Sequence, residues 1–192
     1  MLFTPNYLPC IAFFKELRKA ENIIFDKSDI FIKQTFRNRA QIKGPHRLEN
    51  LIIPVSATSG KTPISDVKVA NNEPWQRTHI RTIEAAYKKS PYYEFYDYML
   101  LPLFEKKYDF LLDVQIDSFE IILKMLNLKL DFAFETRSEG QIIIDLRPKE
   151  YEEIVKKYDF RAYKQNFEGE FIPNLSILDL IFCNGPHAVD FL

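Results

Sequence analysis

The chain has 192 residues, enough for one domain with a sizeable core, and its 46% hydrophobic and 28% charged residues exclude a disordered polypeptide. Its 26 basic and 27 acidic residues leave a formal charge of -1, without the basic excess that binding a nucleic-acid backbone demands. No apolar run approaches the ~20 residues that span a bilayer, and Met1-Leu2-Phe3-Thr4-Pro5 lacks the basic region of a secretory signal. Cys10 and Cys183 read as buried thiols rather than a disulfide framework, so a soluble protein of the reducing cytoplasm is expected. The aromatic share is high at 15%, from 17 Phe, 10 Tyr and one Trp, which supplies large buried area per residue.

In chain order, Ile11, Phe14, Leu17 and Arg18 fall on one side of a short helix that Pro9 opens and that ends near Asn22. Residues 23–25 read as a short buried strand. Residues 29–36 alternate apolar and polar side chains, as in a half-buried strand or extended loop. Residues 51–55 form a strand whose Pro54 marks an edge or an end; a loop over 56–63 and a further strand over 64–69 follow. The clearest helix covers 75–90, with Trp75, His79, Thr82, Ile83, Ala86 and Tyr87 in one stripe and Gln76, Arg77, Arg81, Glu84 and Lys88 on the wet side. Pro91 separates it from a helix over 92–107. A third helix is expected over 118–126, strands over 130–134 and 142–146, a helix from Pro148 to Tyr158, and a last helix over 175–183 stopped by Asn184-Gly185-Pro186. Alternating strands and helices without a linker predict a single α/β domain over 1–192, with a mixed or mostly parallel sheet and flanking helices.

Ser59-Gly60-Lys61-Thr62 looks like the end of a phosphate-binding loop. The pattern requires a glycine where Val55 stands and a helix where Pro63 follows, so the segment reads as a surface loop. Cys10, Cys183, His46, His79 and His187 have no metal-ligand spacing, and no metal or cofactor is expected. His79 lies on the apolar face of the 75–90 helix. Imidazole there serves either as a general acid/base or as a hydrogen-bonded core histidine, and spacing alone favours the core. Lys33, Asn38 and Arg39 sit in a basic segment where Arg37 and Arg39 share a face if the chain is extended. Such a segment grips a phosphate or carboxylate, or is a solvated turn. Asn174 or Ser176 caps the last helix, with Asp179 near its positive end.

Several segments together resemble the WbqC-like family. They are Pro5-Asn6-Tyr7-Leu8-Pro9, residues 33–39, Trp75-x-x-x-His79-x-x-Thr82-Ile83-x-x-Ala86-Tyr87 with Pro91-Tyr92, and Pro173-Asn174-Leu175-Ser176-Ile177-Leu178-Asp179-Leu180 before Asn184-Gly185-Pro186. The resemblance runs over almost the whole chain, in order. It implies a transferase-like, glycan-related role in bacterial polysaccharide biosynthesis, without naming donor or acceptor. Phe3-Thr4 stand where family members commonly carry His-Gln, and Lys27-Ser28 where many carry Asp-Asp. A glycine-rich segment of longer members is missing between Phe134 and Phe160, so the chain looks like a compact branch.

On this reading His79 and Lys33 carry the chemistry, and Asn6, Tyr7, Asn38, Arg39, Trp75, Tyr87, Asn174 and Ser176 line a cleft for a small anionic ligand, a nucleotide-sugar or acyl donor. Two alternatives stay open: a ligand-binding protein that keeps the cleft without the chemistry, and an interaction protein using the Tyr-rich stretch 92–98. No nucleic-acid or membrane partner is expected, and the oligomeric state is left open.

Overall fold

The computed structural model describes residues 1–136, 143–144 and 156–192. Strands β1 (Leu2–Phe3), β2 (Ile23–Asp26), β5 (Phe132–Glu135) and β6 (Ile143–Ile144) form one sheet in the order β5-β2-β1-β6, every pairing parallel. This is the order in which the central half of a doubly wound sheet is laid down. A separate antiparallel hairpin joins β3 (Arg39–Lys43) to β4 (Leu48–Ile52). The described helices are α1 (Ile11–Leu17), α2 (Trp75–Tyr87), α3 (Tyr93–Glu105), α4 (Leu111–Met125) and α5 (Ile177–Asn184). The expected α/β architecture is therefore present, with the parallel and antiparallel pairings in different sheets.

Phenylalanines on one sheet face hold these layers together. Phe3, Phe25 and Phe134 are register partners across β1, β2 and β5 and so point to the same side. Phe13 of α1 and Phe119 of α4 pack on that side, with centroid separations of 5.7 Å for Phe3–Phe13, 5.2 Å for Phe25–Phe119 and 5.3 Å for Phe25–Phe134. Edge-to-face and offset contacts of this kind each add about 1 kcal/mol beyond their burial.

The connection from β1 to α1 is a buried loop, since every residue from Leu2 to Phe14 is buried. Buried irregular backbone must find partners for its N–H and C=O groups, and here they come from distant elements. The Gln115 amide of α4 donates to the carbonyls of Pro5 (3.0 Å) and Arg37 (2.6 Å). The Tyr7 N–H donates to the Phe36 carbonyl, and the Ser176 hydroxyl to the Leu8 carbonyl at 2.9 Å. The Pro9 carbonyl accepts from the Ile177 N–H. Leu8 is held at φ 41°, a left-handed backbone that a branched side chain seldom adopts. Partners on both sides hold it there.

Several expected boundaries shift for physical reasons. Helix α1 ends at Leu17 rather than near Asn22, and Arg18, just past it, donates to the carbonyls of Val189 and Leu192. Residues 29–36 form no strand; the end of this segment turns, with the N–H groups of Asn38 and Arg39 both donating to the Thr35 carbonyl. The predicted strand over 64–69 is a 3-10 turn (Ile64–Asp66) followed by isolated bridges from Lys68 and Val69. Helix α4 begins at Leu111, seven residues before Ser118, because its inward face carries the polar Gln115 and Ser118 and so looks broken as an apolar stripe. Strand β3 leaves little periodic signal in the sequence, with Ala40 and Ile42 as its buried apolar residues. The expected helix from Pro148 lies largely outside the described residues. The Asn184-Gly185-Pro186 stop falls where expected: Gly185 takes φ 54°, and a Cβ there would lie 2.3 Å from the Tyr92 ring.

Replacing Gln115 by Leu keeps the size of the side chain but removes its donations to the Pro5 and Arg37 carbonyls. The unfolding free energy should fall by about 2–4 kcal/mol in urea titrations. A loss below about 0.5 kcal/mol would show that Gln115 does not hold the loop.

Candidate functional site

His79 sits on the inward face of α2 with both ring nitrogens engaged. Its Nε2 lies 3.1 Å from the Ile52 carbonyl oxygen, which only accepts, so Nε2 carries the hydrogen. Nδ1 therefore accepts from the Tyr7 hydroxyl at 2.9 Å. The Trp75 ring packs edge-on at 5.2 Å and Phe104 at 6.4 Å. Burial pushes the imidazole down to about 4, so it is neutral at physiological pH, while the bond to Ile52 opposes that shift. Tyr7 is fully buried, and desolvation pushes its hydroxyl well up. These are the contacts of a hydrogen-bonded core histidine, with no ring nitrogen left over to meet a substrate.

The basic segment divides. Lys33 is exposed on the loop. Arg37 is buried and donates to Asp29 through Nε (2.9 Å) and Nη2 (2.6 Å), so it does not share a face with Arg39. The chain turns through 33–38 instead of extending, which is why the common face fails to form. Asn38 is buried and donates to the Ile53 carbonyl at 3.0 Å. Arg39 opens β3 opposite Ile52, half-buried, and burial lowers its guanidinium from its usual value.

Near the C-terminus, the Ser176 side chain accepts from the Leu178 N–H as the cap of α5. Asn174 caps a different helix: its Oδ1 accepts from the Ala12 N–H of α1 at 2.8 Å, and its backbone is left-handed at φ 55°. The Tyr87 hydroxyl donates to Asp179 Oδ1 (2.8 Å), while Tyr163 (2.7 Å) and Gln165 (3.2 Å) donate to Oδ2. Burial raises the Asp179 carboxyl, and the three donors and the nearby Lys43 oppose the rise. Lys43 is itself buried, donating to Gln165 Oε1 and the Glu170 carbonyl. Asp179 is thus the acceptor of an interior network rather than a surface charge at the helix start. Both cysteines are free and buried, and desolvation raises both thiols, Cys10 to about 11. Among the described residues no group of three or more His, Cys, Asp or Glu is placed to hold a metal ion.

The ten sequence-predicted residues fall into several groups. Tyr7, Trp75 and His79 meet; Asn174 and Ser176 meet the β1–α1 loop; Tyr87 joins Asp179; Lys33 stands apart. Asn6 lies in the wall of a cavity of about 10 Å³ under Phe13, Phe25, Phe119 and Phe134, room for about one water molecule. A space large enough for a ligand lies elsewhere. An open groove of about 490 Å³, within the range of small-molecule sites, runs along the outer face of α2. Arg81, Glu84, Ala85, Lys88 and Lys89 form its floor at i, i+3, i+4, i+7 and i+8, and Pro45 and the Asn166-Phe167 loop close it. The Asn166 amide donates to the Ala86 carbonyl, tying that loop to the helix. Lys88 is paired with Glu84 at 3.0 Å. The helical stripe is legible in the sequence as the wet side of the 75–90 helix. The approach of Asn166 and Phe167, about 80 residues away, has no sequence signal.

With fold and groove described, the family can be stated. The model of the WbqC-like protein family matches residues 4–146 and 146–191. The chain belongs to the WbqC-like protein family. Comparison with curated proteins and with solved structures returned no match. No helix among the described residues is long and apolar enough to cross a membrane. In this WbqC-like chain, Pro5–Pro9 form the buried loop held by α4 and α5, and His79 is bonded to that loop through Tyr7.

The neutral His79 has a stability signature. Its unfolded value is 6.5 and its folded value about 4, so the folded state binds fewer protons in that window. The stability it contributes is present above about pH 6.5 and is lost as pH falls toward 4, up to about 3 kcal/mol. Asp179, raised by burial, works in the opposite direction, so the comparison must be with a His79→Gln variant. Between pH 7 and pH 5 the wild type should lose about 1–2 kcal/mol more than His79→Gln in urea unfolding. Parallel losses would rule out a buried neutral histidine.

Proposed function

We propose that this WbqC-like protein acts in the cytoplasm as a glycan-related binding protein, taking a small anionic ligand in the groove along α2. One observation carries the reading: Arg81 and Lys89 present their cations along an open groove of ligand size, with Lys88 paired to Glu84 between them and an aromatic ring, Phe167, beside them. Guanidinium and ammonium groups bind phosphate and carboxylate, and an aromatic side chain offers a flat apolar face to a sugar or base. The anionic ligand expected from the sequence is thereby kept, but its contacts move from Lys33, Asn38 and Arg39 to α2.

Binding without group transfer is the better-supported form of this reading. A transferase in polysaccharide biosynthesis would use His79 as its acid/base. That role would require His79 to release either Tyr7 or the Ile52 carbonyl, and its low proton affinity makes it a weak base near neutral pH.

Ligands that bind only the native state raise its melting temperature by mass action. Among millimolar sugar phosphates, uronic-acid oligosaccharides and nucleotide sugars, at least one should raise Tm by a few degrees, less so as salt increases. The shift should disappear in an Arg81→Ala/Lys89→Ala variant and persist in a Lys61→Ala control on the exposed 56–63 loop. A shift that survives the double variant would put the ligand elsewhere; no shift with any compound would overturn the binding reading.

A further inference from the structure

The order of charges along α2 carries information about the ligand, given that the groove is the binding site. Arg81 and Lys88 are seven residues apart on the same helix face, so their backbone positions are separated by about 10 Å along the axis. Between them lies Glu84, held on Lys88 at 3.0 Å. Among the described residues neither Arg81 nor Lys89 takes part in an ion pair. The groove floor therefore reads cation, anion, cations. Lys88 and Lys89 also offset the negative end of the α2 dipole, a role that Arg81, in the middle of the helix, does not share.

A compact diphosphate fits this order poorly. Its two phosphates share one bridging oxygen, so engaging both ends of the groove places it over the Glu84 carboxylate, where like charges repel. A ligand with two separated negative charges and a neutral, hydroxyl-bearing middle fits each part. Its acid groups meet Arg81 at one end and Lys89 at the other. Its hydroxyls donate to Glu84, which as a carboxylate only accepts. The ring between the charges lies against Phe167, across the groove. We infer that the α2 groove is built for an acidic oligosaccharide with a charge on alternate sugars, rather than for a nucleotide diphosphate.

Calorimetric titration of the full chain tests this with two probes. One is a hyaluronan hexasaccharide, which carries a carboxylate on every second sugar; the other is UDP-glucose, a compact diphosphate. The hexasaccharide should bind, and Arg81→Ala and Lys89→Ala should each weaken it about tenfold, as expected for losing one charged hydrogen bond. UDP-glucose should bind no more tightly than inorganic phosphate. In Glu84→Gln, which removes the central negative charge, UDP-glucose should gain several-fold while the hexasaccharide does not. All three substitutions change exposed side chains, so circular dichroism should show an unchanged fold. If UDP-glucose binds the wild type more tightly than the hexasaccharide, and Arg81→Ala weakens it, the charge-spacing inference fails while the groove stands as an anion site. If neither probe binds and none of the sugar phosphates or nucleotide sugars shifts Tm, the groove reading fails with it.

Discussion

Residues Thr4 to Cys10 run as irregular chain through the interior, and the rest of the fold is arranged to satisfy them. Each backbone polar group taken from water without a partner costs about 1–3 kcal/mol, so an unsupported loop of this length would offset most of a domain's net stability. The support comes from Gln115 on α4, the Phe36 carbonyl before β3, and Ser176 and Ile177 at the start of α5. These partners are up to 168 residues away in sequence. The N-terminal strand, the hairpin and the C-terminal helix thus close around one segment, and the left-handed Leu8 and Asn174 lie at the closure.

The same demand explains why polar residues crowd the interior. Asn38, His79, Gln115, Asp179 and Ser176 are all buried, and the groups they satisfy are mostly backbone atoms or tyrosine hydroxyls of the core. Each is a residue type that also performs catalysis, which is why the sequence reads as if it held an active site there. The network around Asp179 is the densest case, with Tyr87, Tyr163 and Gln165 all donating to one carboxylate. Such a network stabilises only when complete, and here it ties α2 and the 163–165 segment to α5.

The segments that follow β1 and β2 are held by the core and by local bonds. In a doubly wound sheet, ligands bind outside the carboxyl ends of the strands. Phe3 and Thr4 lie at that end of β1, and Phe3 is a fully buried ring in the aromatic core. Lys27 and Ser28 follow β2, where Ser28 donates twice to Asp26. Beside the β1–α1 loop, Phe13, Phe25, Phe119 and Phe134 line a cavity of about 10 Å³. A groove of ligand size lies on the outer face of α2, beside the Asn166-Phe167 loop.

What the sequence determined by itself was whatever depends on local periodicity and ordered motifs: the α/β class, the family, strand β2, the body of α2 with its buried and wet faces, and the stop at Gly185. The wet face already contained Arg81, Glu84 and Lys88 of the groove, since helical spacing puts them on one side whatever they face; Lys89 joins them only in the structure. Only the tertiary structure decided what each polar residue does. Asn174 caps α1 rather than α5, Arg37 turns inward to Asp29, and α4 extends seven residues further through Gln115 and Ser118. These outcomes depend on contacts across most of the chain, and hydrogen-bond partners at that separation leave no period in the sequence. His79 shows both halves: its place on the buried stripe was readable, but the saturation of its two nitrogens by Tyr7 and Ile52 arises only when three distant segments meet.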